Sequence, residues 1–143
     1  MEYPALFERD PKGGILVTFP DFGFATHGDD EADAFGMARD LLIHMLSDRI
    51  AGKRDIPRPG SFRSKHGRVR LIAAPALVAA KVVLYEMLRA SHLTKAELAR
   101  RVGQPKQQVE RLFDLRRASR MDQMESAFAA LGKRLAIEVQ DAA

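Results

Sequence analysis

Residues 3–42 read YPALFERDPKGGILVTFPDFGFATHGDDEADAFGMARDLL, and this stretch decides the fold of the first half of the chain. Within it, Ile15–Phe19 places large apolar side chains at every second position, which is the pattern of a half-buried strand. The apolar and aromatic run Tyr3–Glu8 precedes it. Between the two runs lies Asp10–Gly14, where proline and glycine supply the backbone angles of a tight turn. The pattern predicts a β-hairpin.

A third strand and a helix are predicted next. Pro20–Gly23 turns the chain again, and Phe24–His27 is short and β-like. Asp29 or Asp30 then caps a helix with an acidic first turn, which the helix dipole favours. The helix is predicted to run to about Ala51 and to stop at glycine. Its apolar residues recur at three- and four-residue spacing, so that one face packs on the sheet: Ala34, Ala38, Leu41, Leu42, Met45 and Leu46.

The composition bounds the class of protein. The chain has 143 residues, which allows one domain or two small ones. Its apolar fraction of 46% and charged fraction of 29% are those of a globular protein. It has no cysteine, so disulfides and thiolate metal sites are excluded and a reducing cytoplasm is expected. There is no apolar run of membrane-spanning length and no signal peptide at the N-terminus.

The charge is divided unevenly along the chain. Residues 1–60 carry 7 Lys+Arg and 11 Asp+Glu, a net charge of −4, whereas residues 61–143 carry 16 and 8, a net charge of +8. Random surface charge is one explanation. The other is that the two halves have different partners, the second half favouring a polyanion.

A linker separates the halves. The segment Gly52–Arg68 combines proline, glycine and basic residues without an apolar period, so a flexible linker is predicted at about 52–68. Val69–Ala73 is short and β-like, and fits a fourth strand that returns to the first sheet. We therefore place the domains at 1–74 and 75–143.

The second half is predicted to be helical. Pro75 suits the first turn of a helix, and Thr94 begins another, with Glu97 three residues on to complete a capping box. The spacing of Ala99, Gly103 and Val109 is typical of a helix-turn-helix, in which the glycine takes the turn and the other two residues pack. Pro105 opens the second helix of this unit. The helix that starts at Pro75, before this unit, carries its packing residues at helical spacing: Leu77, Val78, Lys81, Val82, Leu84, Tyr85 and Leu88.

The second helix of such a unit enters the major groove of DNA. Glutamine pairs with adenine there and arginine or lysine with guanine, while cations on neighbouring segments contact phosphate. The alternative is a helical hairpin with a solvated charged face. The predicted DNA-binding residues are Gln104, Lys106, Gln107, Gln108, Arg111, Arg116 and Arg117, with Arg100, Arg101 and Arg120 as further backbone contacts.

The C-terminal segment predicts self-association. After a helix over Asp122–Leu131, the segment Lys133–Gln140 alternates as a β-strand. A single strand after a helical bundle has unpaired edges, and the simplest partner is the same strand of a second copy. The expected assembly is a homodimer or a higher even oligomer that presents two recognition helices to operator DNA. Its dimerisation residues are Leu135, Ile137 and Val139.

An enzyme is not expected. A nuclease of the RNase H type needs several carboxylates around Mg²⁺, and Asp21, Asp29 and Asp30 are candidates by residue type only, since they lie in a turn and at a helix cap. The four histidines are scattered without the spacing of metal ligands. We predict no catalytic residue, no metal and no cofactor.

The quoted stretch resembles the N-terminal module of the HicB-type antitoxin family. Residues 93–139 resemble the helix-turn-helix tail of one branch of that family. The chain departs from the family pattern at Phe22–Ala25, where members have one more residue. The motifs that carry the resemblance are Tyr3-Pro4-Ala5, Gly13-Gly14, Val17-Thr18-Phe19-Pro20-Asp21, Thr26-His27-Gly28-Asp29 and Glu31-Ala32.

The resemblance implies an α+β protein with a small, partial RNase H-like β-β-β-α-β module. An all-α helix-turn-helix domain with a C-terminal β-strand follows. It also implies that the acidic module binds and neutralises a small, basic, mRNA-cleaving HicA-like toxin, and that the second domain represses the operon encoding both proteins. The alternative is a stand-alone helix-turn-helix transcription regulator whose N-terminal domain senses a ligand.

Overall fold

A computed structural model describes residues 1–142 of the chain, which divide into two compact units. The first is Met1–Ala79, and the second begins at Ala80. This division lies inside a helix that spans Ala76–Ser91, slightly after the boundary predicted from the sequence. Residue 143, the end of the predicted second domain, lies outside the described residues.

The first unit is a four-stranded antiparallel sheet with one long helix. Its elements are β1 (Glu2–Arg9), β2 (Ile15–Phe19), β3 (Phe24–Gly28), α1 (Glu31–Ala51) and β4 (Arg68–Ala73). The strand order is β3-β2-β1-β4, so β3 and β4 form the two edges. The predicted element order β-β-β-α-β, including the returning fourth strand, is confirmed, and so is the α+β class.

Helix α1 covers one face of the sheet. Residues that pair across strands share a face, and the pairs Phe7↔Val17 and Tyr3↔Ile72 place four buried side chains beneath the helix. Close approach of the helix depends on Gly28, because a Cβ at this position would overlap the backbone of Ala34 in the first turn of α1. The helix residues buried against this face include Ala34, Ala38, Leu42, Met45 and Leu46.

Local hydrogen bonds set the start of α1. The side chain of Asp30 accepts from the N–H of Asp33 at 2.8 Å, which makes Asp30 the N-cap. The N–H of Asp29 donates to the Asp33 carboxylate at 2.8 Å. The helix ends at Ala51 with Gly52 after it, as the sequence predicts.

The segment between α1 and β4 has no helix or strand, yet hydrogen bonds tie it to α1 and to the sheet side of the unit. The N–H of Gly60 donates to both carboxylate oxygens of Asp21 at 3.1 Å. The Tyr3 hydroxyl donates to the carbonyl of Pro57 at 2.7 Å. Asp21 therefore anchors the linker to the turn after β2. The predicted flexibility of this linker stays a prediction.

The turn between β2 and β3 is the point where the chain departs from the family pattern. Phe22 is buried there, with its ring centroid 5.0 Å from that of Tyr3. Gly23 follows at φ 73°, a conformation that favours glycine. Phe24, the first residue of edge strand β3, is 58% exposed. This turn thus buries one phenylalanine and leaves the next on the surface.

The second unit is helical. It contains residues 80–91 of α2 (Ala76–Ser91), followed by α3 (Lys95–Val102), α4 (Lys106–Arg111) and α5 (Met121–Ala130). The four predicted helices are therefore present. Side chains of the last three helices and the turn after α4 form much of its core: Leu98, Ala99, Val109, Leu112, Phe113, Leu115, Met124, Ala127 and Phe128.

The C-terminal segment differs from its prediction. Residues 133–142 belong to no helix or strand in the described single chain. Leu135 is half-buried, whereas Ile137 is 71% exposed and Val139 is 92% exposed. A strand is defined by hydrogen bonds to a neighbour, and one copy of the chain supplies no neighbour here. The segment therefore exposes apolar side chains among polar ones in the single chain.

Candidate nucleic-acid interface

Helix α3, which leads into the turn before α4, is capped by hydrogen bonds at both of its ends. At its start, the Thr94 side chain accepts from the N–H of Glu97 at 3.1 Å, and the Glu97 carboxylate accepts from the N–H of Thr94 at 3.2 Å. This reciprocal pair is the predicted capping box. At its end, Gly103 adopts φ 70°, ψ 33°. The N–H of Gln104 donates to the carbonyl of Ala99 at 3.1 Å, which makes the stop a Schellman motif.

Helix α4 is short and has two distinct faces. Val109 is 1% exposed and anchors the helix to the core, with Ala99 of α3 also buried. Burial of both residues agrees with the spacing around Gly103, and the helix-turn-helix assignment stays a prediction. Helix α4 ends at Arg111, because Leu112 and Phe113 continue as separate turns. The polar residues on and beside α4 are all exposed: Gln104, Lys106, Gln107, Gln108, Glu110 and Arg111.

The cations of this surface differ in whether they form an ion pair with a neighbouring carboxylate. Lys106 lies 3.8 Å from Glu110 on the same helix, and Arg117 lies 3.3 Å from Asp114. Both pairs are roughly half exposed, so they are weak and screened. Arg111 and Arg116 form no salt bridge within residues 1–142, which leaves their guanidinium groups available to a bound anion.

An open groove lies beside α4, where the end of α3 meets the start of α5. Gln104 and Gln108 line it together with Gln123 and Ser126 of α5. The sequence did not indicate these last two residues, because isolated polar residues on a helix carry no periodic signal. Arg120 also lines the groove, but both of its guanidinium bonds go to the Asp122 carboxylate, at 2.6 and 3.1 Å.

The most unusual residue of this unit is Lys81 in α2. Its side chain is 0% exposed. Its ammonium group donates to the carbonyls of Arg111 at 2.8 Å, Asp114 at 2.8 Å and Arg117 at 2.7 Å. Sequence analysis places Lys81 in the packing stripe of its helix but gives it no role. A lysine inside an apolar stripe was the available signal.

Burial away from water lowers the pKa of Lys81 below its ordinary value of 10.5, and the Asp114 carboxylate opposes this shift. An ammonium group has three N–H donors, and all three have acceptors here. The charged form is therefore desolvated but fully hydrogen-bonded.

Two of the three carboxylates considered for catalysis have structural partners in the first unit. Asp21 accepts from the N–H of Gly60, and Asp30 caps α1 by accepting from the N–H of Asp33. Among residues 1–142, no three histidine or acidic side chains lie close enough together to hold a metal ion. None of the helices within this range is both long and apolar enough to cross a membrane.

Two solved structures are similar to the chain. One is the crystal structure of the Burkholderia pseudomallei antitoxin HicB, with a TM-score of 0.46 and 19% identity over 72% of this chain and 96% of that chain. The other is a toxin–antitoxin complex from Streptococcus pneumoniae, with a TM-score of 0.46 and 22% identity over 52% of this chain and 69% of that chain.

Sequence relatives extend over almost the whole chain. Antitoxin HicB of Escherichia coli strain K12 is 37% identical over 138 residues, which are 96% of this chain and 98% of the relative. Antitoxin HicB 1 of Photorhabdus laumondii is 35% identical over 98% of this chain and 88% of the relative. Residues 2–83 match the family described as HicB-like antitoxin of bacterial toxin–antitoxin systems. The chain therefore belongs to the HicB-like family and is an antitoxin of a toxin–antitoxin system.

Proposed function

We propose that this antitoxin neutralises a small, basic, mRNA-cleaving HicA-like toxin through its first unit and represses its own operon through its second unit. The observation that carries the proposal is the extent of the similarity to antitoxin HicB, which at 37% identity covers 96% of this chain. Because the match spans both units, the proposal assigns one role to each of them.

The DNA-binding role is supported by the geometry of α3 and α4. The capping box and the Schellman motif fix the two helices, and Val109 holds α4 in place. The exposed side of α4 then offers glutamine, lysine and arginine, the residues that read base edges in the major groove. We propose that Gln107 and Arg111 contact bases and that Arg116 and Arg117 contact phosphates.

Binding to a palindromic operator requires two copies of α4. The segment after α5 supplies a surface for pairing, since Ile137 and Val139 are exposed apolar residues and Leu135 is half-buried. We propose that this segment forms a strand against the same segment of a second copy. The pairing gives each backbone edge a partner and covers the apolar side chains.

The toxin-binding role is supported by a local cluster of acidic residues. Residues 1–60 have 7 Lys+Arg and 11 Asp+Glu, and four further cations at positions 63, 65, 68 and 70 bring the whole first unit to 11 of each. Four exposed carboxylates, those of Asp29, Asp30, Glu31 and Asp33, lie at the end of edge strand β3 and the start of α1. A negative surface speeds encounter with a basic RNA-binding partner and helps to select it. No enzymatic step by the antitoxin itself is part of this proposal.

Co-expression with the products of the genes that flank its own gene tests the proposal, which expects a small basic protein among them. We expect a stable complex by size-exclusion chromatography, and growth of cells that the small protein alone arrests. We also expect the antitoxin to shift DNA of its own promoter but not a shuffled sequence of equal length. Growth arrest that persists with the antitoxin present contradicts the toxin role. A metabolite in place of the small protein after purification supports the ligand-sensing regulator instead.

A further inference from the structure

The buried lysine of α2 connects two parts of the second unit that are distant in sequence. Lys81 is 0% exposed, and its three N–H groups donate to carbonyls at positions 111, 114 and 117 at distances of 2.7–2.8 Å. The first of these carbonyls belongs to Arg111, the C-terminal residue of α4. The other two lie in the turns that follow it. One side chain therefore holds both the end of α4 and the backbone after it.

The segment that Lys81 holds has no regular structure of its own. The N–H of Asp114 donates to the carbonyl of Arg111, and that of Arg117 donates to the carbonyl of Asp114, both at 3.2 Å. These single turns repeat every three residues, and such runs are weaker than an α-helix. The ammonium group joins successive turns by bonding to the same carbonyls of Arg111 and Asp114 and also to the carbonyl of Arg117. Asp114 adds a side-chain bond from the N–H of Arg116 at 3.0 Å.

We propose that Lys81 is a positioning residue for DNA binding. Its ammonium group fixes the backbone from which Arg116 and Arg117 extend, and so sets where their guanidinium groups meet the phosphates. This inference rests on the proposed DNA-binding function. Lys81 itself is enclosed in the protein and contacts no DNA.

The role predicts a specific signature. Phosphate contacts set the salt dependence of binding, and each lost contact reduces the magnitude of the slope of log K against log salt by roughly 0.9. Loss of the ammonium group therefore reduces this slope and weakens operator and unrelated DNA alike. A purely structural role lowers only the folded fraction, which leaves the slope of the folded molecules unchanged.

The absence of cysteine from the sequence allows a matched test in the full chain. The Lys81→Cys variant is unfolded, alkylated and refolded, either with an aminoethyl group, which rebuilds a lysine-like side chain, or with a propyl group, which has a similar shape but no ammonium. Wild-type protein taken through the same unfolding and refolding is the reference. Folding is checked by circular dichroism, and binding to promoter DNA and shuffled DNA is measured over a range of salt concentrations.

We expect the aminoethyl protein to recover the affinity and salt slope of the reference, and the propyl protein to show a lower slope on both DNAs. A folded propyl protein with the reference slope overturns the role of Lys81, while the DNA-binding function stands. A folded reference protein that fails to bind promoter DNA overturns that function instead.

The Lys81→Gln variant provides the same comparison if the propyl protein does not fold. Its amide has two N–H donors and no charge, so fewer of the three carbonyls are held. We expect its salt slope to fall below that of the wild type. A wild-type slope in folded Lys81→Gln also overturns the inference.

Discussion

Within α4, the side chain that packs in the core is different from those proposed to contact DNA. Val109 is 1% exposed and packs in the core, whereas Gln107 and Arg111 are exposed. Exposed residues without structural bonds can be replaced at small cost in stability. A change in DNA binding on their replacement therefore reports on contact with DNA.

The first prediction concerns base contacts. Gln107→Ala and Arg111→Ala are each expected to weaken operator binding by roughly 1–3 kcal/mol and to relax sequence preference. The physical reason is the loss of hydrogen bonds to base edges. Fluorescence anisotropy with the operator and with single-base variants measures both effects. Unchanged operator affinity in both proteins means that α4 does not lie in the groove.

Arg116→Ala is the comparison for these two variants. As a phosphate contact it is expected to weaken all sequences to a similar extent, with a reduction of about 1 in the salt slope. Unequal weakening of operator and shuffled DNA indicates that Arg116 also reads bases.

A second prediction concerns the pH dependence of stability. Burial lowers the pKa of Lys81 in the folded protein below 10.5, its ordinary value. Between the two pKa values the unfolded chain binds more protons, so the free energy of unfolding rises with pH there. The cost of burying the charge is fully present below the pKa of the folded state and is relieved as pH rises through this window.

Lys81→Met removes this titration and also leaves the three carbonyls without their ammonium donor. It is expected to be less stable than the wild type at neutral pH, by a margin that grows as pH approaches 10.5. Urea denaturation of both proteins from pH 7 to pH 10.5 measures the difference in free energy of unfolding. A difference that stays constant or shrinks across this range contradicts the lowered pKa.

The Lys81 contact also marks a limit of sequence analysis. The three acceptors are backbone carbonyls at positions 111, 114 and 117, and a carbonyl has no signature in the sequence. The exposed polar residues of α4 were predictable, because helical spacing alone separates them from Val109. The way Lys81 holds the turns after α4 is visible only in the folded chain.

At the scale of elements, predictability follows the range of the interactions. The starts of α1 and α3 depend on caps only three residues long, Asp30 with Asp33 and Thr94 with Glu97, and the sequence predicted both helices. Hairpin strands joined by short turns were predictable for the same reason. The segment 133–140 was predicted as a strand, but pairing requires a partner that a single chain does not contain.

The turn after α3 yields a third prediction. Gly103 has φ 70°, where a side chain with a Cβ is strained by roughly 1–2 kcal/mol. Gly103→Ala is therefore expected to lower the free energy of unfolding by about that amount. The built Cβ meets no atom within 4 Å, so the cost comes from the backbone conformation alone.

Gly36→Ala is the matched control. Gly36 lies inside α1, is exposed, and also has open space around a built Cβ. Alanine is the better helix former, so this variant is expected to be more stable by roughly 0.5–1 kcal/mol. Chemical denaturation is therefore expected to show changes in the free energy of unfolding that are opposite in sign for the two variants. Equal effects contradict the left-handed conformation of Gly103.

On the scale of the whole molecule, the two units form separate cores, and only the second has a net charge: residues 1–79 carry 11 Lys+Arg and 11 Asp+Glu, and residues 80–143 carry 12 and 8. The strand pairing of the first unit ends near Ala74, whose N–H donates to the carbonyl of Met1 at 3.1 Å. Helix α2 starts soon afterwards, at Ala76, and contributes buried Lys81 and Leu84. A cut after Ala74 therefore keeps both the sheet and α2 intact.

The fourth prediction is that these halves act separately. Residues 1–74 alone are expected to rescue cells from the co-expressed toxin, and residues 75–143 alone to bind promoter DNA. Growth assays and gel shifts measure the two activities. Rescue by residues 75–143 without the first half contradicts this division of roles.

The final prediction concerns assembly through the C-terminal segment. Ile137 is 71% exposed and Val139 is 92% exposed in the single chain. Full burial of one such side chain contributes roughly 1.5–3 kcal/mol, and a two-fold dimer buries each of them twice. Ile137→Asp places a charge in that interface. We expect a folded monomer by light scattering, with much weaker operator binding, because the second recognition helix no longer acts at high effective concentration.

Ala136→Asp is the control for this variant, since it adds the same charge one position earlier, on the opposite side of an extended strand. It is expected to stay dimeric and to bind the operator. Toxin binding is expected to survive in both variants, because we assign it to residues 1–74. If Ile137→Asp remains a dimer, the interface lies elsewhere, and α2 is the next surface to test. If both variants become monomers, charge anywhere in the segment prevents pairing, and the alternating register of Leu135, Ile137 and Val139 is wrong.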